Sequence, residues 1–158
     1  MTVVELETGN TDSAPKVRVV VVDDSATTRE AIAAILNGAP GIQVVGYAAD
    51  GAEAVELVAQ LKPDVVTMDI NMPRLNGYQA TQQIMATTPT PIVVVTTVTQ
   101  AEMIHQGLDL LLAGALEIVQ KPSALGAQAF DTIRAELIAK VLTVAQIKFP
   151  ARAPKPAA

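Results

Sequence analysis

The sequence predicts an α/β domain of five βα units around a parallel sheet, and three observations carry that reading. Short β-branched runs alternate with longer helical patterns five times between residues 16 and 147, the signature of strands joined by crossover helices. The first run contains Val19-Val20-Val21-Val22, an unbroken apolar stretch suited to a central strand covered on both faces. Half of the 158 residues are apolar but only 3% are aromatic. The core therefore has to be assembled from Val, Ile, Leu, Ala and Met, the mix that packs parallel strands against helices.

Strand one is expected over Val17 to Asp23, and Asp24-Ser25 then offers an N-cap for a helix from about Ala26 to Leu36, closed by Asn37-Gly38 and Pro40. Ile42 to Tyr47 reads as strand two, with Asp50-Gly51 as the turn after it. Ala52 to Lys62 carries Val55, Val58 and Leu61 at helical spacing until Pro63 stops it. Val65 to Asp69 forms strand three, followed by a loop shaped by Pro73 and Asn76-Gly77 and a helix over Tyr78 to Thr87. Ile92 to Thr96 is the fourth strand, Thr99 to Ala113 the fourth helix, Leu116 to Gln120 the fifth strand and Ala127 to Gln146 the last helix. Residues 1–15 read as a flexible leader, and 148–158, with Pro150, Pro154 and Pro156, as an extended linker or tail. That leaves 16–147 as one domain, as the chain length favours.

Several function classes drop out on composition. A formal net charge of −5 leaves no surface for tracking nucleic-acid phosphates. The absence of cysteine rules out disulfides and thiolate metal sites and makes a reducing cytoplasm the simplest home. No signal-peptide pattern opens the chain, and no apolar run reaches the roughly 20 residues needed to span a bilayer, so a soluble cytoplasmic protein is expected.

In a fold of this class all strands present their carboxyl ends on one rim, and ligands bind there. Strand one ends in Asp23-Asp24, strand three in Asp69, strand four in Thr96-Thr97, and Lys121-Pro122 follows strand five. Three carboxylates, a hydroxyl pair and an ammonium thus converge. Crowded carboxylates raise one another's pKa unless a cation neutralises them, and oxygen-only ligands suit Mg²⁺. With a cation drawing charge from an incoming phosphoryl group, Asp69 can act as nucleophile and form an aspartyl-phosphate. Lys121 would supply the second positive charge. A Thr96 hydroxyl could then donate to a phosphoryl oxygen and pull its loop into a second position.

These residues, in this order, resemble the receiver domains of response regulators. Their hallmarks are an acidic pair after strand one, a phosphorylated Asp ending strand three, Thr or Ser ending strand four, and Lys-Pro after strand five. The resemblance runs from about Val17 to Gln146 and implies a flavodoxin-like (βα)5 doubly wound sheet with strand order 2-1-3-4-5. The stretches Val22-Asp23-Asp24-Ser25-Ala26, Pro63 to Asp69, Thr90 to Val95, and Gly114-Ala115 through Ser123 are further similar to the receiver half of chemotaxis protein-glutamate methylesterases. The Pro/Ala-rich tail resembles the linker that leads to the esterase domain there, so the chain reads as a phospho-switch module, or as the regulatory fragment of a longer methylesterase, without an esterase of its own. The resemblance implies Mg²⁺ on Asp24, Asp69 and the backbone carbonyl of Asn71, with Asp23 holding a metal-bound water, and a cis Lys121-Pro122 bond. It also implies a histidine kinase, of the chemotaxis type, as phosphodonor. An output partner or tethered effector would meet the face made by the fourth helix, fifth strand and fifth helix.

Ile118 stands where the family usually carries an aromatic switch residue, and Asn76 where Asp is common before Gly. Taken singly, each site residue has a plainer reading: Asp23-Asp24 as a helix cap, and Asp69, Thr96 and Lys121 as ordinary loop chemistry. Their joint placement at strand ends of one βα series is what favours a site. His105, the single histidine, reads as a helix-surface residue, and Met103, Ile104, Leu108, Leu111 and Leu112 as a core stripe. Two other function classes compete. A flavodoxin-like cofactor enzyme would need a Ser/Thr/Gly-rich phosphate loop where Asp23-Asp24 stands, and a receiver-shaped interaction domain would never turn over phosphate.

Overall fold

The computed structural model describes residues 16–70, 72–96, 114–121 and 127–147. In chain order it contains β1 (Val17–Val22), α1 (Ala26–Asn37), β2 (Ile42–Ala48), α2 (Gly51–Leu61), β3 (Val65–Met68), α3 (Gly77–Thr87), β4 (Ile92–Thr96), β5 (Glu117–Gln120) and α4 (Ala127–Val144). The strands form one five-stranded sheet in the order β2-β1-β3-β4-β5, and every pairing is parallel. This is the expected doubly wound order, with the chain reversing direction of growth at β1. The helix expected over Thr99 to Ala113, including Met103, His105 and the leucines after them, lies outside the described residues, as do Asn71, Thr97, Pro122 and both tails.

Side-chain alternation divides the core in two. Val19, Val21, Val65, Val93, Val95 and Val119 face Ile32, Ile35 and Leu36 of α1 and Ile133, Leu137, Val141 and Val144 of α4. Val20, Val22, Val66, Met68, Ile92 and Val94 face Ala54 and Val58 of α2 and Ala80 and Ile84 of α3. Each fully buried aliphatic side chain contributes about 1.5–3 kcal/mol, so the run Val19–Val22, buried alternately on both faces, is the reason β1 is an interior strand, between β2 and β3.

Helix ends follow local chemistry, and four of them differ from the sequence reading by one residue, while the last helix stops two residues early, at Val144. Ser25 caps α1 by accepting the Thr28 N–H. Helix α2 starts at Gly51 because Asp50, expected only as a turn residue, is its N-cap and accepts the Glu53 N–H at 2.8 Å. Helix α3 starts at Gly77 because Asn76 and Gln79 form a reciprocal capping box. Strands β1 and β3 stop at Val22 and Met68, which leaves Asp23 and Asp69 just past the ladder. In the β1–β2 register one residue of β2 is skipped between Val44 and Gly46. The shift sets Ala48 beside Val22, where its carbonyl accepts the Asp23 N–H at 3.1 Å.

Candidate functional site

Asp23 leaves β1 fully buried. Its Oδ1 accepts the Ser25 N–H at 2.9 Å, and Arg29, a turn into α1, donates from Nη1 to its backbone carbonyl at 2.7 Å. Asp69 leaves β3 with 3% exposure. Its N–H donates to the Val22 carbonyl at 3.0 Å, and its Oδ1 accepts the Ile70 N–H at 2.8 Å. Adjacent central strands thus hold the two carboxylates by their own backbones. Asp24 is exposed at the mouth. One carboxylate oxygen from each of Asp23, Asp24 and Asp69 lies within 4.8 Å of the others.

Lys121 arrives from the far side of β4. Its N–H donates to the Thr96 carbonyl at 3.0 Å, and its Nζ sits 2.9 Å from Asp23 Oδ2 and 3.3 Å from Asp69 Oδ1. Thr96 closes β4, buried, opposite Gln120 of β5. The structure therefore gathers Asp23, Asp24, Asp69, Thr96 and Lys121 on the carboxyl rim. Ile118 lies away from that group, half-buried on β5 and packed against the core layer of α2 and α3. Asn71 and the Lys121–Pro122 bond lie outside the described residues.

Charge is not balanced here. Three carboxylates face one ammonium, leaving two negative charges. Burial pushes the Asp69 carboxyl up from 3.8 to about 6, and the Asp23 charge adds to the rise, while Lys121 and the Ile70 N–H only partly offset it. Burial works against the Lys121 charge as well, yet the carboxylates of Asp23 and Asp69 outweigh it and hold that ammonium above its ordinary pKa. Asp23 Oδ2 is buried and has the Lys121 charge nearby but no aligned hydrogen bond. A cluster of hard oxygens with two uncompensated charges and an under-satisfied buried oxygen fits a divalent cation of the Mg²⁺ kind.

The family model for the response regulator receiver domain matches residues 19–130. The chain belongs to the response regulator receiver family. A protein-glutamate methylesterase/protein-glutamine glutaminase of Geobacter metallireducens is 44% identical over 88% of this receiver, which spans 40% of that relative's length. The response regulator domain of Thermotoga maritima CheB superposes with a TM-score of 0.76 at 39% identity, over 85% of this chain and 99% of that one. A CheX-CheY-BeF3-Mg²⁺ complex from Borrelia burgdorferi matches at a TM-score of 0.69 and 27% identity, over 88% of this chain and 96% of that one. Membership of this family places the chain in two-component signalling. Receiver domains take phosphate from histidine kinases, bind Mg²⁺ at an acidic cluster and regulate effector domains.

Two residues that help shape this rim were not legible as such in the sequence. Arg29 fixes the Asp23 carbonyl, and Arg74 pairs with Asp50 beside the loop that follows Asp69. Neither spacing carries a local signature. The first depends on the angle at which α1 leaves β1, and the second on where one loop is folded against another.

Proposed function

We propose that this receiver accepts a phosphoryl group on Asp69 from the phosphohistidine of a chemotaxis-type histidine kinase. Asp24, Asp69 and the backbone carbonyl of Asn71 would hold Mg²⁺ directly, with Asp23 holding a metal-bound water. The bound ion would neutralise phosphoryl charge. The carboxylate of Asp69 attacks phosphorus, the P–N bond of the donor breaks, and the imidazole leaves with the electron pair and takes up a proton. Lys121, held between Asp23 and Asp69, is placed to meet the charge of the phosphoryl oxygens. Its 11% exposure keeps that attraction little screened. The Thr96 hydroxyl then donates to a phosphoryl oxygen and repositions its loop, with Ile118 in the output path.

The single observation that carries the reading is the meeting of Asp23, Asp24, Asp69 and Lys121 at one point. On it we place a phospho-switch of residues 16–147, flanked by a leader (1–15) and a linker or tail (148–158). Its output would run through the face of β5, α4 and the helix expected over Thr99 to Ala113, to a partner or to the esterase domain of a longer methylesterase. Among the described residues no helix is long and apolar enough to cross a membrane; a cytoplasmic location belongs to the proposal, and the formal net charge of −5 argues against a direct nucleic-acid partner. Incubation with Mg²⁺ and acetyl phosphate should add one phosphate, detected by intact-mass spectrometry, and Asp69→Asn should abolish it. Labelling that survives Asp69→Asn would move the acceptor elsewhere. An unlabelled wild type would leave a receiver-shaped interaction module that turns over no phosphate.

A further inference from the structure

The segment between Asp69 and α3 is fastened from outside the acidic cluster. Its far end lies against Asp69 itself: Gly77 N–H donates to the Ile70 carbonyl at 2.8 Å, and a Cβ at Gly77 would fall 2.1 Å from the Asp69 carbonyl oxygen. Only glycine permits that approach. Its middle is fastened to the start of α2: Gly51 N–H donates to the Leu75 carbonyl at 2.9 Å, and a Cβ at Gly51 would fall 2.0 Å from that oxygen. Immediately before Leu75, Arg74 stands at φ +66, a left-handed conformation that a long side chain rarely adopts. Its guanidinium holds Asp50 Oδ2. Asp50 is itself fixed, since its Oδ1 caps α2 through the Glu53 N–H.

From this arrangement we propose that the Arg74–Asp50 pair is a positioning clasp that holds the backbone after Asp69 in the conformation that binds Mg²⁺ and accepts phosphate. Arg74 touches none of the reacting groups and acts through Leu75, Gly77 and the Asp69 backbone. The Glu53 N–H, joined by the Arg74 hydrogen bond and charge, outweighs burial and holds the Asp50 carboxyl below its ordinary range, so the pair stays charged at neutral pH. Arg74 remains 68% exposed along its side chain, so its contribution to global stability is small. Its conformation, by contrast, ties the loop to a rigid helix start.

The inference rests on the proposed Mg²⁺ and phosphoacceptor role of the cluster, and the experiment separates the two. Arg74→Gly removes the clasp while relieving the positive φ, so its melting temperature should stay near that of wild type. Asp50→Asn keeps the cap oxygen and discharges the clasp. In metal-free protein, hydrogen exchange at the Gly51 amide should quicken about tenfold in Arg74→Gly, as expected when the pair that backs this hydrogen bond is lost. Mg²⁺ affinity, measured by calorimetry without any phosphodonor, should fall about tenfold in either variant, the lower end of what supporting partners of metal ligands contribute. The double variant should be no worse than the single ones, and Arg74→Lys should recover most of the loss. If wild type binds Mg²⁺ and Arg74→Gly binds it equally well, the clasp is overturned while the site reading stands. A wild type that binds no Mg²⁺ overturns both, and unchanged Gly51 exchange overturns the clasp by itself.

Discussion

At the amino rim of the sheet Arg18 meets Asp64 and the end of α2, whereas at the carboxyl rim Lys121 meets Asp23 and Asp69, and the surroundings treat the two cations differently. Arg18 donates from Nη1 to the carbonyls of Leu61 and Lys62 at 2.9 and 3.1 Å. Its backbone N–H donates to Asp64 Oδ2 at 2.9 Å, and the Asp64 N–H returns a bond to the Arg18 carbonyl at 2.8 Å. There the guanidinium is taken up by the carbonyl end of a helix dipole, and the Asp64 carboxylate by the Arg18 backbone N–H. At the other rim one cation faces three carboxylates, and Asp69 is pushed up to about 6 by burial and by Asp23. One end of the same strands is satisfied and structural, and the other is left short of positive charge. An unfavourable rim persists because two layers of buried aliphatic side chains hold it together.

The largest effect should come from Lys121→Ala. Breaking a buried pair costs about 3–5 kcal/mol, and the open mouth of this rim brings the expected loss to about 2–3 kcal/mol in urea unfolding without metal. Millimolar Mg²⁺ should recover part of it, because a divalent ion supplies the missing charge. A loss indifferent to Mg²⁺ would break the contrast between the rims. Arg18→Ala should cost about 1–2 kcal/mol through the lost carbonyl bonds, and here the loss should not change with Mg²⁺.

Asp69→Asn should stabilise the metal-free protein by about 1 kcal/mol at neutral pH, a figure kept low because the rim opens to solvent on one side. Its pH dependence has a definite sign. The folded carboxyl titrates at about 6 and the ordinary value is 3.8, so in between the folded form keeps a proton the unfolded chain has lost. That contribution is full below 3.8 and disappears as pH rises through about 6. Thermal melts should therefore show the advantage of Asp69→Asn above pH 6 and its fading toward 3.8; an advantage that grew on acidification would refute the assignment of the raised group. The smallest effect belongs to neither rim: Thr67 lies within β3 with its buried Oγ1 lacking a partner. Thr67→Val should stabilise by about 0.5–1 kcal/mol at any pH or Mg²⁺ concentration.

Much of the carboxyl rim was legible because parallel topology converts sequence position into spatial position. Once Val19–Val22, Val65–Met68 and Ile92–Thr96 are strands, Asp23, Asp69 and Thr96 must emerge on one edge. Helix starts were less legible by one residue at Asp50 and Asn76, since a cap and a turn residue are the same residue types. The supporting contacts of Arg29 and Arg74 were not legible at all. A guanidinium can reach any of several carbonyls or carboxylates, and its partner is set by the direction in which α1 leaves the sheet for Arg29 and by which loops lie next to each other for Arg74.

By itself the sequence determined the alternation of strands and helices, the aliphatic core and the identity of the charged groups at the strand ends, because periodicity and strand-end position are local properties of the chain. Tertiary structure alone decided that Lys121 sits between Asp23 and Asp69 at 2.9 and 3.3 Å, that burial raises the Asp69 pKa, and that Arg74 reaches Asp50. Those outcomes depend on distance and on exclusion of water, and neither exists until the layers have packed.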